Sequence, residues 1–108
     1  MNPQNRDWYA WIDVMPPPPN HFHVVGEVFV ANPGVEAVVA VKEPQGTNPA
    51  ILLLDLHLTQ KPGMWPQVMT WIQARYDKTL TPVGPRYAEV QVFGSDGLLA
   101  RMPVNETH

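Results

Sequence analysis

No cysteine occurs in the 108 residues, which excludes disulfide staples, thiolate nucleophiles and thiolate metal sites and leaves packing to supply stability. Serine is nearly absent too. Ser95 stands alone, within Gly94-Ser95-Asp96-Gly97, a composition that reads as a hairpin turn and lacks the flanking pattern of a nucleophile elbow. Charged residues make up only 16%, and seven Lys plus Arg are scattered among ten Asp plus Glu for a net charge of −3. No basic stripe is present to neutralise a phosphate backbone, so nucleic acid is not an expected partner. No apolar run approaches the ~18 residues of a spanning helix, and residues 1–20 are polar and proline-rich in place of a basic start and an apolar stretch. A membrane is therefore not expected either, and a cytoplasmic location follows by default unless the chain is cut from a longer exported one. Residues 44–49 hold one glycine and no lysine in the place a phosphate-binding loop requires, which argues against nucleotides.

What the chain has in quantity is proline, thirteen residues, more than twice the usual ~5%. They punctuate apolar segments at 16–20, 32–34, 44–49, 62–66 and 82–85, with a further turn cluster at 94–97. Proline has no N–H and a fixed φ, so the distance between clusters bounds each element, and the intervening pieces of roughly ten residues suit strands. The hydrophobic share of 44% is enough for one core, and the length fits a single domain over 1–108. Residues 1–7 are expected to be flexible, and 15–20 to form a proline-rich linker between strands. The four consecutive prolines at 16–19 suit polyproline II, either as a rigid spacer or as a docking peptide for an aromatic groove.

Hydrophobic character repeats with a stride of two. Phe22, Val24, Val28 and Val30 share one face of a strand, with His21, His23 and Glu27 opposite. Val35, Ala37, Val39 and Val41 follow the Asn32-Pro33-Gly34 turn, so these two segments read as a hairpin. Leu52, Leu54, Leu56 and Leu58 alternate with Leu53, Asp55, His57 and Thr59. Ala88, Val90 and Val92 alternate with Tyr87, Glu89, Gln91 and Phe93, and the chain then turns into Leu98, Ala100, Met102 and Val104. Trp8, Ala10, Ile12 and Val14 mark a weaker N-terminal strand.

Two readings of residues 64–78 compete. Trp65, Val68, Met69, Ile72 and Tyr76 fit helical spacing, but Trp65 would be a poor cap because it offers no side-chain oxygen to the first N–H groups. As a strand the segment gives Val68, Thr70, Ile72, Ala74 and Tyr76 to one face, and its Thr, Trp, Ile and Tyr favour extended backbone. The strand is preferred, with residues 79–86 as a long hairpin loop to the strand at Tyr87. The expected fold is all-β, a two-layer antiparallel β-sandwich of six to seven strands and immunoglobulin-like size. The alternative is α+β, with one helix at about 65–77 packed on an antiparallel sheet. The Cys and core-Trp signature of immunoglobulin domains is missing.

For chemistry, alternation puts His21 and His23 on one side of a strand with β-carbons ~6.5 to 7 Å apart. Asp55 and His57 repeat the pattern elsewhere, and the two strands paired in suitable register would gather His21, His23, Asp55 and His57 into a set acceptable to zinc. The competing explanation is the solvent side of an amphipathic sheet, which alternation itself demands. Glu27, Glu36, Asp55 and Glu89 fall at outward positions where carboxylates are solvated and ionised, so no acid–base pair stands out.

Phe29, Trp71, Tyr87 and Phe93 point away from the expected core, more apolar surface than a lone sheet usually shows to water. They are the expected binding residues. The expected role is a non-enzymatic protein-interaction or assembly module, working through that aromatic face or through hairpin loops, with another protein or a second copy (a homodimer) as partner and no cofactor. The alternatives are a metal-binding protein or metal-dependent hydrolase with zinc on the His/Asp set, and a carbohydrate-binding module stacking a sugar on Trp71.

Overall fold

The structure, a computed structural model, describes residues 2–14, 19–80 and 86–107. Those residues form seven strands: β1 (Asn5–Asp13), β2 (Asn20–Val30), β3 (Val35–Val41), β4 (Ile51–Gln60), β5 (Thr70–Leu80), β6 (Glu89–Gly94) and β7 (Gly97–Thr107). No helix occurs among them, so the chain is all-β and the segment around Ile72 is a strand. The hydrogen-bonded order is β3-β4-β6-β7-β1-β2-β5, one sheet nearly closed into a barrel-like shape. β7 joins its two halves. Residues 97–103 pair with β6, and 104–107 pair with β1. Pro103, which has no N–H to give, sits at the changeover.

The stride of two places the core as expected over most of the sheet. Phe22, Val24, Val28, Leu52, Leu54, Val90 and Val92 are the large side chains fully withdrawn from water, and Ala10, Ile12, Ala74 and Met102 join them. Each buried residue of this size contributes roughly 1.5–3 kcal/mol relative to exposure. Residues of both halves form one cluster, so the halves close on a common interior.

Partner choice differs from the expected hairpins of an antiparallel sandwich. β2 and β3 do not form a hairpin: β2 pairs with β1 and β5, and β3 pairs with β4. The reason lies in the turn. The Asn32 amide exchanges hydrogen bonds with Gln60 at the end of β4 (2.9 and 3.1 Å), and its oxygen also accepts from Gly34 N (2.9 Å). That ties the turn to β4 and steers the chain out of the plane of β2. Likewise β5 does not pair with β6, whose neighbours are β4 and β7. Two of the pairings, β1 with β7 and β4 with β6, are parallel, so the sheet is mixed.

Three departures in the alternation have local causes. β5 begins at Thr70 because Pro66 cannot donate a ladder bond and Val68 N turns back to Pro66 O (2.9 Å), which leaves Val68 outside the strand. On β7, Val92 faces Ala100 but Phe93 faces Leu98, a bulge that exposes Leu98 and packs Leu99 on the core instead. Leu58 and Val41 follow the expected parity yet stay exposed, since each lies toward an end of its strand.

Residues 2–7, expected to be flexible, are tied in. Asn2 Oδ1 accepts from Asp96 N (3.1 Å), Gln4 O accepts from Phe29 N (2.9 Å), and Asn5 opens β1. Most of the proline run at 16–19 lies outside the described residues.

A second bulge fixes the N-terminal half of β1. Arg6 faces Glu27 and Tyr9 faces Val25, so Asp7 and Trp8 together oppose Gly26. Asp7 takes a left-handed φ of 59°, an arrangement Asp tolerates better than most residues. Trp8 then lies over Gly26, with its Nε1 donating to Asn5 Oδ1 (2.9 Å), and a Cβ at position 26 would overlap the indole. Gly26→Ala is expected to cost about 1–3 kcal/mol in urea denaturation. In a Trp8→Ala background the same substitution costs much less, and equal costs in the two backgrounds would show that the indole is not the obstacle.

Candidate functional site

Register sets the outer face of β1, β2 and β5 row by row. Phe29 stands opposite Trp71, and their ring centroids are 4.9 Å apart. The Arg6 guanidinium lies 3.9 Å above the Trp71 ring and its Nε donates to Glu27 Oε1 at 3.1 Å. This cation–π stack covers one face of the indole on which the carbohydrate-binding alternative would stack a sugar. Further along, a track of rings runs Tyr9, Trp11, His23, His21, with successive centroids at 5.5, 4.9 and 6.4 Å.

Of the four expected binding residues, only Phe29 and Trp71 come together. Phe93 lies on β6 opposite Asp55, in the other half of the sheet, beneath Lys42 Nζ at 5.1 Å from the ring centroid. Tyr87 does not point outward. It precedes the first β6 pair at Glu89, so strand alternation does not govern it, and its ring packs toward Phe22 with centroids 5.5 Å apart.

The expected metal set is split between strands that do not pair: His21 and His23 on β2, Asp55 and His57 on β4. Among the described residues no group of three or more His, Asp or Glu is arranged to hold a metal ion. Each side chain has its own setting. His23 Nδ1 is 2.5 Å from Asp77 Oδ1, and His21 Nδ1 is 3.5 Å from Thr79 Oγ1. Asp55 accepts from Lys42 Nζ at 3.2 Å. Burial alone would raise the Asp77 pKa, but hydrogen bonds from Arg75 and His23, with their charges, outweigh it and hold the carboxyl below its ordinary value.

Asp55, His57 and Ser95 share the lining of a hollow of about 250 Å³ between β4 and the β6–β7 turn. The residue types suit nucleophilic catalysis, but the Asp55 carboxylate is engaged by Lys42, and no hydrogen bond links Asp55 to His57 or His57 to Ser95. Without those bonds the imidazole is neither oriented nor placed to take a hydroxyl proton.

A different surface is more conspicuous. Residues 61–69 connect β4 to β5, and among them Met64 is 100% exposed, Val68 58% and Met69 56%. The loop is nonetheless pinned. Trp65 lies against Gly34, where a Cβ would overlap its ring, and its Nε1 donates to Lys61 O (3.0 Å), while Lys61 N donates to Gly34 O (2.9 Å). Thr70 Oγ1 donates to Val68 O (2.8 Å), and the chain passes directly into Trp71. The proline break at 62–66 was read from the sequence, but the strand after it was extended back through Val68, whereas β5 begins at Thr70.

The chain matches no family model, no curated protein and no solved structure.

Because Asp77 has a lowered pKa in the folded state, its stabilising effect is full above the ordinary value of 3.8 and is lost as pH falls through the lowered one. Asp77→Asn should therefore unfold less steeply with acid than the parent protein. The effect is modest, since the carboxylate is half in solvent, and urea midpoints compared at neutral pH and below pH 3.8 measure it.

Proposed function

We propose that the protein is a non-enzymatic interaction module, which engages a protein partner through the 61–69 loop and the adjoining Phe29–Trp71 pair. The observation that carries this reading is an apolar loop held rigidly outward. A slack loop could fold Met64, Val68 and Met69 against the sheet, but Trp65 and the bonds at Lys61 and Gly34 fix it with those side chains in water. Pro62 and Pro66 stiffen it further. Prepaid order lowers the entropic cost of docking, and unbranched Met side chains adapt to an apolar partner surface. Arg6 above Trp71 supplies a polar rim of the kind that surrounds a binding patch.

The reading is tested by immobilising the protein and quantifying what it retains from a protein extract, beside light scattering of the free protein for its own copy. Met64→Ser with Met69→Ser, both fully tolerable to the fold at such exposure, is expected to weaken retention about tenfold or more, as loss of even one buried apolar side chain would. Trp71→Ser should act in the same direction. If the variants retain every protein that the parent retains, and scatter alike, the loop is not the binding surface.

A further inference from the structure

The connection from β3 to β4, residues 42–50, is also pinned, at the end of β4 opposite to the 61–69 loop. The Gln45 side-chain amide stands in for a strand's own backbone. Its Nε2 donates to Lys42 O (2.6 Å) and Leu53 O (2.8 Å), and its Oε1 accepts from Leu53 N (2.9 Å). Asn48 then turns the chain into β4, its Oδ1 accepting from Ala50 N (3.0 Å) and its carbonyl from Ile51 N (3.1 Å).

Held in this way, the loop bounds two adjoining hollows of about 390 and 230 Å³. Thr47, Asn48 and Ile51 line both; the larger reaches Tyr87, and the smaller reaches Leu53 and Gln91. The larger is of a size that small molecules occupy.

What the walls offer defines the ligand. No charged residue lines either hollow, so an ion entering would lose water without gaining a counter-charge. An apolar guest fails for the opposite reason, because it would strip water from polar groups and leave them unpaired. Thr47 makes no hydrogen bond among the described residues, and Asn48 Nδ2 gives none. Gln91 gives one Nε2 proton to Glu89 Oε2 (2.8 Å) and keeps the other, along with its Oε1. These unused groups are neutral and include both donors and acceptors. Hydroxyls answer both kinds, and a sugar ring carries several of them around a C–H face that fits Ile51 and Leu53.

We propose that this groove binds a neutral saccharide, with Thr47, Asn48 and Gln91 taking its hydroxyls and Ile51 and Leu53 its apolar face. The site is distinct from the Trp71 ring, and Arg6 has no part in it. Because Gln45 fixes the loop beforehand, little order is lost on binding. The groove also lies apart from the 61–69 loop, so either reading can fail while the other stands.

Nuclear magnetic resonance titration tests it. Methyl β-glucoside, maltose and N,N′-diacetylchitobiose are the neutral probes, beside glucuronate as a charged sugar and N-acetylalanine methylamide as a neutral amide. At least one neutral sugar is expected to give saturable shifts at Thr47, Asn48 and the Gln91 side chain. Thr47→Val and Gln91→Met, close to the parent in shape, should each weaken that binding about tenfold and leave the rest of the spectrum as it was. Glucuronate and the amide should bind more weakly by about tenfold or more, and Met64→Ser should bind the sugar as the parent does. The inference is overturned if none of the three sugars gives saturable shifts, or if glucuronate or the amide binds as well as they do. Sugar binding that survives both groove substitutions, or that is lost with Met64→Ser, overturns it too.

Discussion

β7 bonds to β6 along its first part and to β1 along its second, and this division of one strand between two neighbours is what makes the fold a single body. Without it, β3-β4-β6 and β1-β2-β5 would be separate three-stranded sheets, each with an apolar face and nothing to place it against. With it, Val90 and Val92 on one side and Phe22, Val24 and Val28 on the other meet in a common interior. Beyond Pro103 the strand runs parallel to its new neighbour β1, after an antiparallel pairing with β6. The interior is filled by medium-sized aliphatic groups with Phe22 at its centre, flanked by Tyr76 and Tyr87 at 6.4 and 5.5 Å between ring centroids.

How legible was this in the sequence? Face assignment was legible because it depends on each segment alone: Leu52, Leu54 and Leu56 alternate with Leu53 and Asp55 whatever β4 pairs with, and all three are buried. Ile72 and Ala74 sorted correctly for the same reason. Partner choice was not legible, because it depends on groups remote in sequence, such as the Asn32–Gln60 amide pair that diverts the chain from β2 to β4. The bulge opposite Phe93, which exchanges Leu98 for Leu99 in the core, leaves no mark on the alternation either. Among the site residues, Phe29 and Trp71 could be placed on one face by parity, and the register then brought them level. Tyr87 was misplaced because parity was applied beyond the end of its strand. The histidine and aspartate pairs were each correctly set outward, but on strands whose separation only the topology reveals.

The outer surfaces show how a half-apolar sheet is made compatible with water. Arg6 covers Trp71, and Lys42 lies over Phe93, so cationic side chains with long aliphatic stems lie across aromatic rings. Carboxylates then hold the cations: Glu27 for Arg6, Asp55 for Lys42. The rings thereby become the base of small polar networks. In the 61–69 loop such cover is confined to Trp65, beneath Lys61 Nζ at 5.3 Å from the ring centroid, while Met64, Val68 and Met69 stay exposed, and that contrast distinguishes them from the sheet faces.

The union of β1 with β7 also bears on how the chain reaches this state. The strand made first must wait for the strand made last, and Asn2 likewise finds its partners only at Asp96 and Gly97. During synthesis the early hairpin of β1 and β2 therefore stands with one flank unfilled until β7 has left the ribosome, at ~5–20 residues per second. Topologies dominated by such distant pairings fold in milliseconds to seconds, and the waiting flank is the stretch a chaperone would have most reason to shield.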